Sequence, residues 1–237
     1  MGPFRSPAAP KRITHCIFDM DGLLLATETM YTVAQQEVLD PFGKAFNWDI
    51  KAQMTGKKAL EACQALVDYY DIGDQITPEE FLRRREVILD KMFLDAELMP
   101  GVARLLGHLT AHQIPTAVAT SSSRKGFDLK TTQHRQLFDR FEAILTGESV
   151  TKGKPEPDIY LLAASTFRDK PAPEKCLVFE DAPVGITAGT RAGMQTVMVP
   201  DPQLDPKHTL EATEVLQSLE DFQPELWGLP AYPSSSS

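Results

Sequence analysis

The sequence predicts an α/β protein, a Rossmann-like parallel sheet core with an inserted helical cap domain. Three observations carry this reading. Short apolar runs recur and alternate with helix-period stretches, as parallel strands joined by crossover helices require. The alternation stops between residues 27 and 97, where helical patterns follow one another with no convincing strand. Polar residues gather where several apolar runs end, which is where open parallel sheets collect their ligands. With 237 residues, 42% of them hydrophobic and 24% charged, the chain can bury a real core and disorder is ruled out as its main state.

In order along the chain, residues 1–12 are expected to be a flexible N-terminus. Met1-Gly2-Pro3-Phe4-Arg5-Ser6 formally matches a loose acylation pattern, but Pro3 and Pro7 stiffen it and a frayed end is the simpler reading. Ile13 to Phe18 is short, apolar and partly β-branched, and it stops at Asp19 and Gly22 as a buried strand before a sharp turn would. The core is assigned to residues 13–26 and 98–230, the cap to 27–97 and a flexible tail to 231–237. In the cap, Met30, Tyr31, Ala34 and Val38 share one helical face and Leu60, Gln64 and Val67 another. Phe81, Arg85, Ile88 and Met92 form a third after Thr77-Pro78-Glu79-Glu80, which has the make-up of a helix cap. Arg83-Arg84-Arg85 reads as a solvated face. Beyond Met99-Pro100-Gly101, strands are expected at 114–120, 143–146, 176–179 and 196–199, and helices at 101–112, 157–167 and 183–192.

Charge and cysteine content exclude several function classes. Lys and Arg total 24 against 33 acids, so no basic surface is available for nucleic acid or an anionic membrane, and neither is expected as a partner. Cys16, Cys63 and Cys176 form no C-x-x-C pair, which gives neither a disulfide framework nor a zinc site and fits a reducing cytoplasm. No apolar run approaches the roughly 18 residues of a spanning helix.

The chemistry-bearing residues lie at the expected strand ends. Asp19 and Asp21, in Phe18-Asp19-Met20-Asp21-Gly22, are two carboxylates at i and i+2, which extended geometry points to one side. A calcium loop is excluded, because counting from Asp19 the glycine falls too early and Met30 occupies the place of the bidentate acid. Thr120-Ser121-Ser122-Ser123 offers hydroxyls and backbone amides to phosphate oxygens. Lys154, held between Gly153 and Pro155 just before a helix, is a compact cation for a phosphoryl group. Glu180-Asp181 supplies the hard oxygens that Mg²⁺ prefers. Each alone is ordinary, a capped turn or a surface lysine, but four such clusters at successive strand ends make one site.

This arrangement resembles the haloacid dehalogenase-like hydrolase superfamily. Asp19-Met20-Asp21-Gly22 looks like its nucleophile motif, Thr120 its hydroxyl motif, Lys154 its lysine motif and Glu180-Asp181 its acidic metal motif. Leu23-Leu24-Leu25, the segments 56–62 and 127–131 and the stretch 222–230 look like the branch that contains animal pseudouridine 5′-phosphatases and plant glycerol 3-phosphatases. The resemblance implies a phosphatase for a small phosphorylated metabolite, monomeric or weakly homo-oligomeric. Asp19 would attack phosphorus to form an aspartyl-phosphate, and Asp21 would protonate the leaving group and then deprotonate water. Thr120, Ser121 and Lys154 would bind the phosphoryl oxygens, and Asp19, Asp21 (through its main-chain carbonyl) and Asp181 would hold Mg²⁺ with Glu180 behind them. Gly56 and Lys57 resemble substrate-contact positions in the cap, whose closure would exclude water. Residues 174–183 look nearer the animal proteins, which tilts the expected substrate towards pseudouridine 5′-phosphate over glycerol 3-phosphate.

One departure stands out: Ala26 occupies a hinge position where the branch usually carries an acid, and Thr27 is expected to cap the first cap helix instead. Two alternatives follow. A phosphosugar mutase on the same fold would often carry a Lys-Asn pair after the hydroxyl motif, which Thr120-Ser121-Ser122-Ser123-Arg124 lacks. A non-catalytic binding protein is suggested by Ala26 and opposed by intact Asp19, Asp21, Lys154 and Asp181.

Overall fold

A computed structural model describes residues 12–54 and 59–233. The N-terminal acylation pattern, Gly56 and Lys57, and the end of the expected tail therefore lie outside the described residues. The chain divides into two units, one of Met1–Leu24, Leu98–Arg124 and His134–Ser237 and the other of Leu25–Glu97 and Lys125–Gln133.

The first unit is built on a parallel sheet of β1 (His15–Phe18), β2 (Thr116–Ala119), β3 (Ala143–Leu145), β4 (Cys176–Glu180), β5 (Gln195–Met198) and β6 (Glu214–Val215), in spatial order β3-β2-β1-β4-β5-β6. The two-residue edge strand β6 has too short a pattern to be read from sequence. β1, β2 and β4 are buried along their whole length, which explains why they are apolar runs rather than alternating ones. Helices α5 (Val102–Ala111) and α7 (Arg135–Phe138) also belong to this unit. Successive side chains face opposite sides: Ile17, Ala117 and Val178 pack with Tyr160, Ala163 and Phe167 of α8 (Asp158–Thr166) and its C-cap, and with Ala188 of α9 (Pro183–Arg191). On the other side Phe18 stacks on Phe179 with ring centroids 4.6 Å apart, and Phe141 and Phe222 meet the pair edge-on. Between β1 and β4 the strand order reverses direction, and a crevice opens at the carboxyl ends of such a pair.

The second unit contains α1 (Glu28–Leu39), α2 (Trp48–Met54), α3 (Ala59–Tyr70) and α4 (Pro78–Met92). Val38, Leu39, Ile50, Cys63, Leu66, Val67 and Phe81 form its apolar centre. Thr77 caps α4 by accepting from the Glu80 amide. Three sequence expectations need correction. The inward face of α3 is Ala62, Cys63, Leu66 and Val67, while Leu60 is exposed. Arg83 and Arg84 are solvated, but Arg85 is buried with its guanidinium 3.8 Å from Cys63 Sγ, because Phe81, Arg85 and Leu89 repeat at four-residue spacing on the inner face. Thr27 does not cap α1 through its side chain: it is buried and itself near-helical (φ −92°, ψ −16°), whereas a capping side chain needs an extended residue.

Residues 125–133, which the sequence reading leaves in the core, group with the helical unit. They begin within α6 (Arg124–Lys130), and the cause is Lys130, whose buried ammonium lies 3.0 Å from the Tyr31 hydroxyl and over the Phe93 ring.

Candidate active site

Asp19 is the first residue beyond β1, and its amide continues the ladder by donating to the Phe179 carbonyl. The chain turns at once through Gly22, whose φ of 78° favours glycine. Lys154, in the loop between β3 and α8, donates to Asp19 Oδ1 at 2.6 Å, to Glu180 Oε1 at 2.7 Å and to the Ala119 carbonyl at 3.0 Å. One buried ammonium thus ties together the carboxyl ends of β1, β2 and β4.

Glu180 is more fully engaged than its position in the sequence suggests. Oε1 accepts from Lys154 and from the Tyr160 hydroxyl at 2.7 Å, and Oε2 accepts from the amides of Asp181 at 3.0 Å and Ala182 at 3.1 Å. A carboxylate offers about four lone-pair sites, so these four donors occupy it. Glycine at position 185 is required here, because a Cβ on it would lie 1.7 Å from Glu180 Oε1. Among the described residues, Asp19, Glu180 and Asp181 place one carboxylate oxygen each within 4.8 Å of one another. With Glu180 committed to its four donors, Asp19 and Asp181 are the carboxylates that suit a cation, and an all-oxygen set fits Mg²⁺ rather than zinc.

Asp21 belongs to a second, adjoining cluster. Its Oδ2 accepts from Ser122 Oγ at 2.7 Å and, at a longer 3.4 Å, from Thr120 Oγ1. Thr120 is buried at the end of β2 and also accepts from the Ser122 amide. Ser121 is exposed on the same loop. The loop is braced from below, since the Gly147 amide donates to the Ser122 carbonyl and a Cβ at 147 would lie 2.6 Å from the Ser121 carbonyl oxygen.

Burial raises the Asp19 pKa to about 7; Lys154 opposes that rise, and Glu180 and Asp21 add to it. Burial also works against the Lys154 charge, but Asp19 and Glu180 outweigh it and hold the lysine well above its ordinary pKa. The proton of this pair therefore stays on lysine, and Asp19 is the group that titrates near neutrality. The structure brings Asp19, Lys154, Glu180 and Asp181 into one cluster and sets Asp21 with Thr120 beside it. Sequence reasoning missed Tyr160, which looks like one more apolar residue of α8, and gave Ser122 no role of its own.

The family model for haloacid dehalogenase-like hydrolases matches residues 13–193, which span every residue of both clusters. The chain belongs to the haloacid dehalogenase-like hydrolase family. Within this family it is 48% identical over 227 residues to (DL)-glycerol-3-phosphatase 2 of Arabidopsis thaliana, with 94% of this chain and 95% of the relative covered. It is 47% identical over 225 residues to a probable pseudouridine-5′-phosphatase of Drosophila melanogaster, with 94% and 96% covered. A solved haloacid dehalogenase family hydrolase from Deinococcus radiodurans R1, with bound phosphate and sodium, superposes with a TM-score of 0.77 at 26% identity, covering 95% of this chain and 100% of that one. The chain is a phosphatase of the haloacid dehalogenase-like family.

Proposed function

We propose that the protein is a Mg²⁺-dependent phosphatase that hydrolyses a small phosphomonoester through an aspartyl-phosphate on Asp19, with pseudouridine 5′-phosphate or glycerol 3-phosphate as its substrate. The observation that carries this is the Lys154 ammonium held between Asp19 and Glu180 at the carboxyl ends of β1 and β4. It opposes the rise that burial imposes on the Asp19 pKa and sets a cation beside the place where a phosphoryl group would meet the carboxylate. Asp19 attacks phosphorus, Asp21 gives a proton to the departing alkoxide and later takes one from the attacking water, and Thr120, Ser121 and neighbouring amides receive the phosphoryl oxygens. Glu180, fixed by Tyr160 and two amides, keeps Lys154 in place through both steps. Asp19, Asp181 and the main-chain carbonyl of Asp21 would hold Mg²⁺, which when bound offsets the repulsion between a carboxylate nucleophile and a dianionic phosphoryl group.

The two substrates rest on the two relatives of nearly equal identity, both matched over almost their full length. Free, buried Cys16, Cys63 and Cys176 support a reducing compartment, which we take to be the cytoplasm. In solution we take the chain to be a monomer or a weak homo-oligomer. Phosphate release from pseudouridine 5′-phosphate, glycerol 3-phosphate, hexose phosphates and 2-phosphoglycolate, ranked by kcat/KM, tests the reading. One of the first two should lead. Isomerisation of a hexose phosphate without phosphate release would overturn it in favour of a mutase.

A further inference from the structure

We infer that Ser122 is a positioning residue for the acid–base carboxylate: its hydroxyl holds Asp21 by Oδ2 in the place from which Asp21 exchanges the catalytic proton. The inference rests on the reading of Asp21 as general acid and base. A carboxylate only accepts, so at 2.7 Å the Ser122 hydroxyl is the donor, and its single proton is committed to Asp21 rather than to a phosphoryl oxygen. The distance is that of a strong charge-assisted contact. Thr120 reaches the same oxygen at 3.4 Å, beyond the usual range for a hydroxyl donor, so Ser122 is the tighter of these two restraints.

The placement is built into the fold. The Ser122 amide donates to Thr120 Oγ1 at 3.0 Å, and the Ser122 carbonyl accepts from Gly147 at 2.9 Å. Both main-chain groups of Ser122 are therefore fixed, on a loop that approaches Gly147 too closely for any other residue to stand there. Within one loop the hydroxyl-bearing residues divide their work: Ser122 serves the acid, while the exposed Ser121 is placed to meet the phosphoryl group.

The chemistry this supports balances in both half-reactions. In the first, the Asp19–phosphorus bond forms as the phosphorus–ester oxygen bond breaks, and the leaving oxygen takes its proton from the Asp21 carboxyl and departs as an alcohol. In the second, the Asp21 carboxylate takes a proton from water, the water oxygen bonds to phosphorus, and the Asp19–phosphorus bond breaks. An alkoxide needs that proton; a nitrophenolate leaves well without it.

Ser122→Ala, Ser122→Thr and Asp21→Asn, compared on glycerol 3-phosphate and on p-nitrophenyl phosphate, test the inference. The quantity read is kcat/KM, which reports the steps up to the aspartyl-phosphate. Ser122→Ala should lose about 10- to 100-fold on the alkyl ester, part of the ~10²–10⁴-fold that general acid catalysis supplies. It should lose little on the aryl ester, inorganic phosphate should inhibit it as it does the wild type, and Ser122→Thr should restore the alkyl rate. Equal losses on both esters with weakened phosphate inhibition would overturn the inference by making Ser122 a phosphate ligand, and so would no loss on either. Asp21→Asn separates this from the underlying reading. If it lacks selectivity for the alkyl ester, the assignment of Asp21 fails; if it shows that selectivity and Ser122→Ala does not, only the role of Ser122 fails. Ser122→Cys, close in size and a weaker donor, carries the same comparison should the alanine variant not fold.

Discussion

An aspartate buried beside two other acids keeps its charge only when a cation sits on it. At Asp19 that cation is Lys154, and the balance leaves the carboxyl titrating at about 7. Raised above the ordinary 3.8, this pKa means that below about pH 7 a proton competes for the oxygens a metal needs. The apparent affinity for Mg²⁺ should therefore climb as pH rises from 5 towards 7 and level off above about 7, with a proton released on binding at pH 6. Calorimetry at pH 6 in buffers of different ionisation enthalpy would detect that proton. An affinity independent of pH over this range would contradict the assignment.

Elements deliver these side chains, and two of them invite direct tests. Helix α9 packs against β4 so closely at Gly185 that no side chain fits beside Glu180. Gly185→Ala should push the glutamate off Lys154 and Tyr160, destabilise the protein by about 1–3 kcal/mol and lower phosphatase activity. Thermal melting with phosphate release measures both effects, and an unchanged variant would show that the contact is not the constraint we take it to be. At the start of the helical unit, the Ala26 amide donates to the Glu97 carbonyl and holds the strand-to-helix connection. Ala26→Asp is expected to change turnover several-fold without moving the Mg²⁺ dependence, since Ala26 is not among the proposed ligands. A shift in metal dependence alone would place it in the site.

Elements were legible where pattern and burial coincide. The runs of β1, β2 and β4 are apolar because both faces are covered, and Thr77 announces α4 because capping is local. Two of the failures are tertiary, while the Thr27 cap fails on its own near-helical backbone. Nothing local distinguishes Arg85 from its solvated neighbours, and Lys130 joins the helical unit through Tyr31, 99 positions away.

For the whole molecule, the site was legible as a set of strand ends because a parallel sheet brings its carboxyl termini to one edge whatever lies between them. Asp19, Lys154, Glu180 and Asp181 could be listed from sequence for that reason. The interior wiring was not legible: the Tyr160 hydroxyl on Glu180 spans 20 positions and the Ser122 hydroxyl on Asp21 spans 101, with no pattern joining either pair. The central claim is that Asp19 is the nucleophile. Rapid acid quench during turnover, followed by peptide mass spectrometry, tests it most directly. The account predicts a phosphoryl adduct on the peptide carrying Asp19, and in Asp19→Asn a folded protein with no adduct and turnover reduced by at least about 10⁴-fold. An Asp19→Asn protein with near wild-type turnover, or an adduct on another residue, would contradict it.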